Sequence, residues 1–224
     1  MIQYQSLEGD IMSKLQDLND EVLEQIKFID KDLELSNPLL LTDNIPGKIL
    51  YVGQETNTWQ GSHKCFSSAR DLEKRYNDYF LKDKMSNREF WRFIRNATEC
   101  HDVANEGNIA WSNLFICSKE KEKGTPNLHQ EIKDLSVNYL LNVIDYLKIE
   151  KIVTVVGPKN PYYTVLMQLI SELNWNIQSW PTLDNPVIYS DNEKLFYTYH
   201  PNYLNRKHKM DAVTKELKNF IKKV

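Results

Sequence analysis

The 224-residue chain has only three cysteines, Cys65, Cys100 and Cys117, and none lies in a CxxC pair. That count excludes a four-cysteine zinc site or iron–sulfur cluster and reads as reduced thiols in a cytoplasmic protein. No apolar run approaches the roughly 18 residues that span a bilayer, so no membrane partner is expected. The N-terminus lacks the basic and apolar regions of a secretory signal. Neither GxGxxG nor GxxxxGK[ST] occurs, which removes the dinucleotide fingerprint and the P-loop. GxSxG is absent too, and with it the nucleophile elbow. The histidines at 63, 101, 129, 200 and 208 have no HxH or HxxxH spacing beside a carboxylate, so no metal is expected.

What is present is the balance of a globular protein, 41% hydrophobic and 26% charged, which suits one domain over 1–224. A net charge of −3 at first opposes a nucleic-acid partner, but the charge is unevenly spread. Residues 1–35 hold nine acids against three lysines, whereas 206–224 hold seven Lys or Arg against two acids. A basic end of this size can meet phosphate, although most short charge clusters are solvated surface.

From Ile11 to Leu33, apolar residues recur in steps of three and four, which predicts an amphipathic helix within an N-terminal extension, 1–36. Asn37-Pro38 is expected to close it. Short apolar runs at 48–53, 109–117, 151–157 and 195–200 read as buried strands. Helical patterns lie between and after them, at about 68–83, 87–99, 130–147, 161–173 and 209–223, with Ser86 or Asn87 capping the second. This alternation predicts an α/β fold, a three-layer α/β/α sandwich around a central, mostly parallel four-stranded sheet. Ligands of such sheets sit at the carboxyl ends of the strands. Those ends carry Gln54-Glu55-Thr56-Asn57, Asn113, Gly157-Pro158-Lys159-Asn160 and His200-Pro201-Asn202. By itself this set suits hydrolysis by a water activated on Glu55, with Asn113 reading a polar ligand.

Four ordered motifs over about 48–209 give the chain a resemblance to the uracil-DNA glycosylase superfamily. Gly53-Gln54-Glu55-Thr56-Asn57 resembles the water-activating GQDPY loop, and Lys64-Cys65-Phe66-Ser67 resembles the LCFS segment after it. Ser112-Asn113-Leu114 is similar to the segment whose asparagine reads the base. His200-Pro201-Asn202-Tyr203-Leu204 resembles HPSPL, the loop of the catalytic histidine and the DNA-inserting leucine.

The resemblance implies a monofunctional DNA glycosylase that flips a pyrimidine into a pocket and hydrolyses its N-glycosidic bond. Glu55 and His200 would be catalytic, the first positioning water and the second stabilising charge at the base's O2. Gln54, Asn57, Phe66 and Asn113 would hold the base. Ser67, Asn202, Leu204, Arg206, Lys207 and Lys209 would contact DNA, with Leu204 filling the vacated stack. The implied enzyme is a monomer that uses neither metal nor organic cofactor. Bland readings exist for each residue: Glu55 as a helix cap, Asn113 as a core amide, His200 as a turn histidine, and Phe66, Trp91 and Trp111 as core aromatics.

The departures bear on substrate. Glu55 stands where the best-known branch has aspartate, Thr56 where it has proline, and Asn57 where a tyrosine closes the pocket around C5 of uracil. A small polar residue at 57 leaves room for a 5-substituent, so the expected substrate is uracil or a 5-modified pyrimidine such as those of phage DNA. Two alternatives are antiviral excision of modified phage bases and a non-catalytic nucleic-acid- or nucleobase-binding protein of the same fold.

Overall fold

In the parallel strands, apolar residues run without alternation because helices cover both faces of the sheet. A computed structural model describes residues 2–30, 35–55, 68–82, 84–119 and 130–223, with side chains of the first helix from Leu15 onward. Its strands are β1 (Ile49–Gly53), β2 (Ile109–Asn113), β3 (Lys151–Thr154), β4 (Val187–Tyr189) and β5 (Leu195–Thr198). They form one sheet in the order β2-β1-β3-β5-β4, parallel except for the antiparallel β4–β5 pair. The architecture is an α/β/α sandwich with five strands among the described residues instead of the four expected. The extra strand, Val-Ile-Tyr between Pro186 and Ser190, is too short to carry a periodic signal.

The helices are α1 (Ile2–Ile29), α2 (Ala69–Tyr76), α3 (Glu89–Thr98), α4 (Gln130–Tyr146), α5 (Tyr162–Glu172), α6 (Pro201–Arg206) and α7 (Met210–Ile221). α1 packs on α4 and α4 on α5, while α3, α6 and α7 pack together. Leu15, Val22, Leu23 and Ile26 of α1 are fully buried, so this half of the helix belongs to the core. A buried polar network ties it there. Asn19 Nδ2 donates to Leu41 O at 2.9 Å and to Glu73 Oε1 at 2.7 Å, and the Tyr139 hydroxyl donates to Asn19 Oδ1 at 3.1 Å.

Local expectations are corrected in three places. α1 ends at Ile29, before Asn37-Pro38, and residues 35–41 run buried alongside 116–119, with Ser36 N–H donating to Ser118 O and Leu39 N–H to Ile116 O. Neither Ser86 nor Asn87 caps α3: Arg88 holds that position, and Asn87 Oδ1 instead accepts from Arg95 Nη1 at 3.2 Å. The 200–206 stretch, expected as a loop, is helix α6, with Pro201 at its first turn where a missing N–H costs nothing.

The sheet edge beside the site is closed by a side chain. β2 is an edge strand, and unpaired edge groups invite mispairing. The Tyr76 hydroxyl donates to Trp111 O at 2.9 Å and accepts from Trp111 N–H at 3.0 Å. Beyond Tyr76 the helix widens into a π-helical turn, Asn77–Leu81, which carries Tyr79 and Phe80 to the aromatic rings of Trp91 and Trp111. Among the described residues no helix is long and apolar enough to cross a membrane.

Candidate active site at the strand ends

Because β1, β2, β3 and β5 run parallel, their carboxyl ends share one edge of the sheet, and a cleft of about 940 Å³ opens there. Gln54, Glu55, Asn113, His200, Asn202 and Arg206 all border it. β1 and β5 are separated by β3, so Glu55 and His200 rise from strands two spacings, roughly 10 Å, apart. A gap of that width suits a ligand held between them.

The chain leaving β1 is held at Gly53 and Gln54 from both sides. Leu114 N–H donates to Gly53 O at 2.9 Å and Phe115 N–H to Gln54 O at 3.0 Å, which continues the parallel ladder past the strand. Gln54 Nε2 donates to Val156 O beyond β3 at 2.9 Å. Gly53 has a steric reason to be glycine: a β-carbon there would overlap Asn113 Oδ1 and lie 3.0 Å from the Phe90 ring.

Glu55 is half-buried, and burial raises its carboxyl above the usual carboxylate range. Tyr162, the first residue of α5, partly offsets this by donating its hydroxyl to Oε2 at 2.5 Å. Among the described residues Oε1 accepts no hydrogen bond. A carboxylate with one oxygen anchored and the other available can orient a water molecule and accept its proton.

Asn113, the last residue of β2, is 3% exposed, and its Nδ2 has no hydrogen-bond partner among the described residues. A buried donor left unpaired costs about 1–3 kcal/mol, so few persist without a reason. A ligand acceptor in the cleft would supply one.

His200 caps α6. Its Nδ1 accepts the Asn202 N–H at 3.2 Å, which leaves the proton of the neutral ring on Nε2. Burial first, and then the charge of Arg206, push its pKa down to about 4. Near neutral pH it is therefore an uncharged donor. The Phe90 ring lies against the imidazole, with centroids 6.0 Å apart and planes 27° apart.

The basic residues divide. Arg206 and the exposed Asn202 border the cleft, whereas Lys207 and Lys209 do not. The expectation for Leu204 is overturned. It is fully buried beneath α6 and cannot enter a base stack, because the helical turn that exposes Asn202 rotates Leu204 inward. Asn57, Phe66 and Ser67 lie outside the described residues.

Sequence reasoning missed Tyr162, Phe90, Tyr199 and Tyr203 as cleft residues. Tyr162 could have been found as a polar aromatic a few residues past the β3 end. Phe90 carried no such signal, since its helical spacing reads as core. Trp91 and Trp111, read as core aromatics, are 4% and 6% exposed yet also form the inner cleft wall, with Trp91 Nε1 donating to the Tyr79 hydroxyl at 3.1 Å. No grouping of three or more His, Cys, Asp or Glu that could hold a metal occurs among the described residues.

No known family model matches this chain, and no curated protein is significantly similar to it in sequence.

Proposed function

We propose that this protein is a DNA glycosylase of the uracil-DNA glycosylase type, acting on uracil or a 5-modified pyrimidine. The observation that carries the reading is one juxtaposition at one sheet edge. A half-buried carboxylate with an available oxygen, an unpartnered buried amide donor and a neutral histidine donor face the same cleft. The volume also suits the reading, since it lies near the top of the ~300–1,000 Å³ range of sites for drug-sized ligands and leaves room for a whole flipped nucleotide.

In the proposed reaction the bond between the sugar C1′ and the base N1 breaks, and its electron pair moves onto the base, largely to O2. Nε2–H of His200 donates to that oxygen; such a preorganised donor contributes about 3–4 kcal/mol in a site shielded from water. Asn113 pairs with the base edge, and its amide can turn to present either donor or acceptor. A water held on Glu55 attacks C1′ and gives its proton to the carboxylate, which completes hydrolysis. Burial suits Glu55 to this, because a carboxylate with a raised pKa is a better base. Phe90 offers a ring beside His200 against which a flipped base can rest. Arg206 and Asn202 stand at the mouth, where a phosphate would lie.

The test is a base-excision screen on oligonucleotides carrying uracil or 5-modified pyrimidines, followed by alkaline cleavage of abasic sites. Cleavage that is lost in Glu55→Gln and in His200→Ala is expected. Binding without cleavage on every base would replace this reading with that of a non-catalytic binder.

A further inference from the structure

Outside the catalytic groups, the cleft rim continues into an aromatic and basic surface. Tyr199 and Tyr203 border the cleft with ring centroids 4.8 Å apart. Arg206 and Lys207 flank the Tyr203 ring at 5.9 and 5.8 Å from its centroid. In the other direction the Tyr199 hydroxyl donates to Pro181 O at 2.7 Å, which fixes the turn between α5 and β4 against the rim. That turn is stiffened by Thr182 N–H donating to Asn185 O at 2.9 Å and Asn185 N–H donating to Thr182 Oγ1 at 3.0 Å. Trp180 stands on it at 57% exposure, its ring edge-on to that of Tyr163 with centroids 6.4 Å apart. Leu183, in the same turn, is exposed, and Asp184 is the single acid of the 179–186 stretch. Lys159 and Asn160 close the rim on the α5 side.

A large aromatic exposed to solvent forfeits the hydrophobic gain of burial, which a stacked base would restore. We propose that Trp180 is a base-stacking platform for a nucleotide flanking the flipped one. In this arrangement Lys159, Arg206 and Lys207 take the adjoining phosphates along the rim. The inference rests on the nucleic-acid reading above and extends it from the pocket to the strand on either side. The partner is single-stranded DNA, or a strand locally opened by flipping, because a face of the base must be bare to meet the ring. Stacking reads no hydrogen-bond pattern, so the contact is tolerant of sequence.

The test is anisotropy of a fluorescein-labelled oligothymidine with the full chain across a salt series. Trp180→Ala is expected to weaken binding on the order of ten-fold by equal factors at every salt concentration, since stacking releases no counterion. Trp180→Phe keeps a ring and is expected to restore most of the affinity. Arg206→Ala and Lys207→Ala are expected instead to flatten the salt slope by roughly one each. DNA-induced quenching of tryptophan emission should be smaller in Trp180→Phe than in the wild type, the remainder coming from Trp91 and Trp111 in the cleft wall. Wild-type binding that Trp180→Ala leaves unchanged overturns this inference alone. Absence of DNA binding by every form overturns it together with the glycosylase reading.

Discussion

Replacing Tyr162 with phenylalanine removes one hydroxyl and little else, because the ring keeps its edge contact with Phe115 at 5.8 Å. That hydroxyl opposes the effect of burial on Glu55, by donating to the charged form of the carboxylate. A hydrogen bond to a charged group contributes about 1.5–3 kcal/mol, and ~1.4 kcal/mol is a factor of ten. Its loss therefore raises the ratio of protonated to ionised Glu55 at fixed pH. The sign follows from which form the bond favours: without it the acid form persists to higher pH. Carboxyl-carbon NMR of isotopically labelled wild type and Tyr162→Phe reads this directly, and the Glu55 titration should move upward. If Glu55 holds the attacking water, the acid limb of the single-turnover excision rate should move upward with it. Below both limbs the variant should be about ten-fold slower, and well above them the two rates should converge. A Glu55 titration that stays put or moves down refutes the electrostatic account. A titration that moves while the rate profile does not refutes Glu55 as the base.

Three further outcomes follow from the geometry. Asn113→Ala should change unfolding free energy by less than about 1 kcal/mol in urea, because an unpaired buried donor is lost along with the packing, yet reduce excision by two orders of magnitude or more. Tyr76→Phe strips the edge strand of its partner at both Trp111 N–H and C=O and should cost about 1–3 kcal/mol, read by the same denaturation. His200, held neutral with a pKa near 4, should make the fold less stable as pH falls from about 6.5 towards 4, by up to about 3 kcal/mol, because the unfolded chain takes up a proton that the folded site refuses. Nitrogen NMR should show its Nε2–H tautomer throughout the neutral range, and His200→Gln should abolish the acid-side loss of stability.

The layered fold was legible from residue order because long, strongly periodic runs have few alternatives. The four parallel strands and the helices between them follow from uninterrupted apolar runs alternating with three- and four-residue spacing. Short or atypical elements were not legible. β4 has three residues and exists because β5 offers it an edge to pair with. Helix α6 is only six residues long and is stabilised by the His200 cap, a role that its motif context obscured.

The site divides along the same line. Chain order alone placed Gln54, Glu55, Asn113 and His200 at one sheet edge, since parallel strands with helical crossovers leave no other arrangement for their carboxyl ends. What those side chains can do was decided by packing. The Tyr162 hydroxyl lies 107 residues away from Glu55 in sequence, yet it partly offsets the effect of burial on the carboxylate. Phe90 and Gly53 meet beside Asn113 only because α3 folds over the end of β1. Leu204 was expected to be exposed, and the helical turn that carries it turned it into the core. A sequence specifies which residues share an edge because topology follows from local periodicity. It does not specify which of them are dry, paired or exposed, because those properties belong to contacts between residues that the chain keeps far apart.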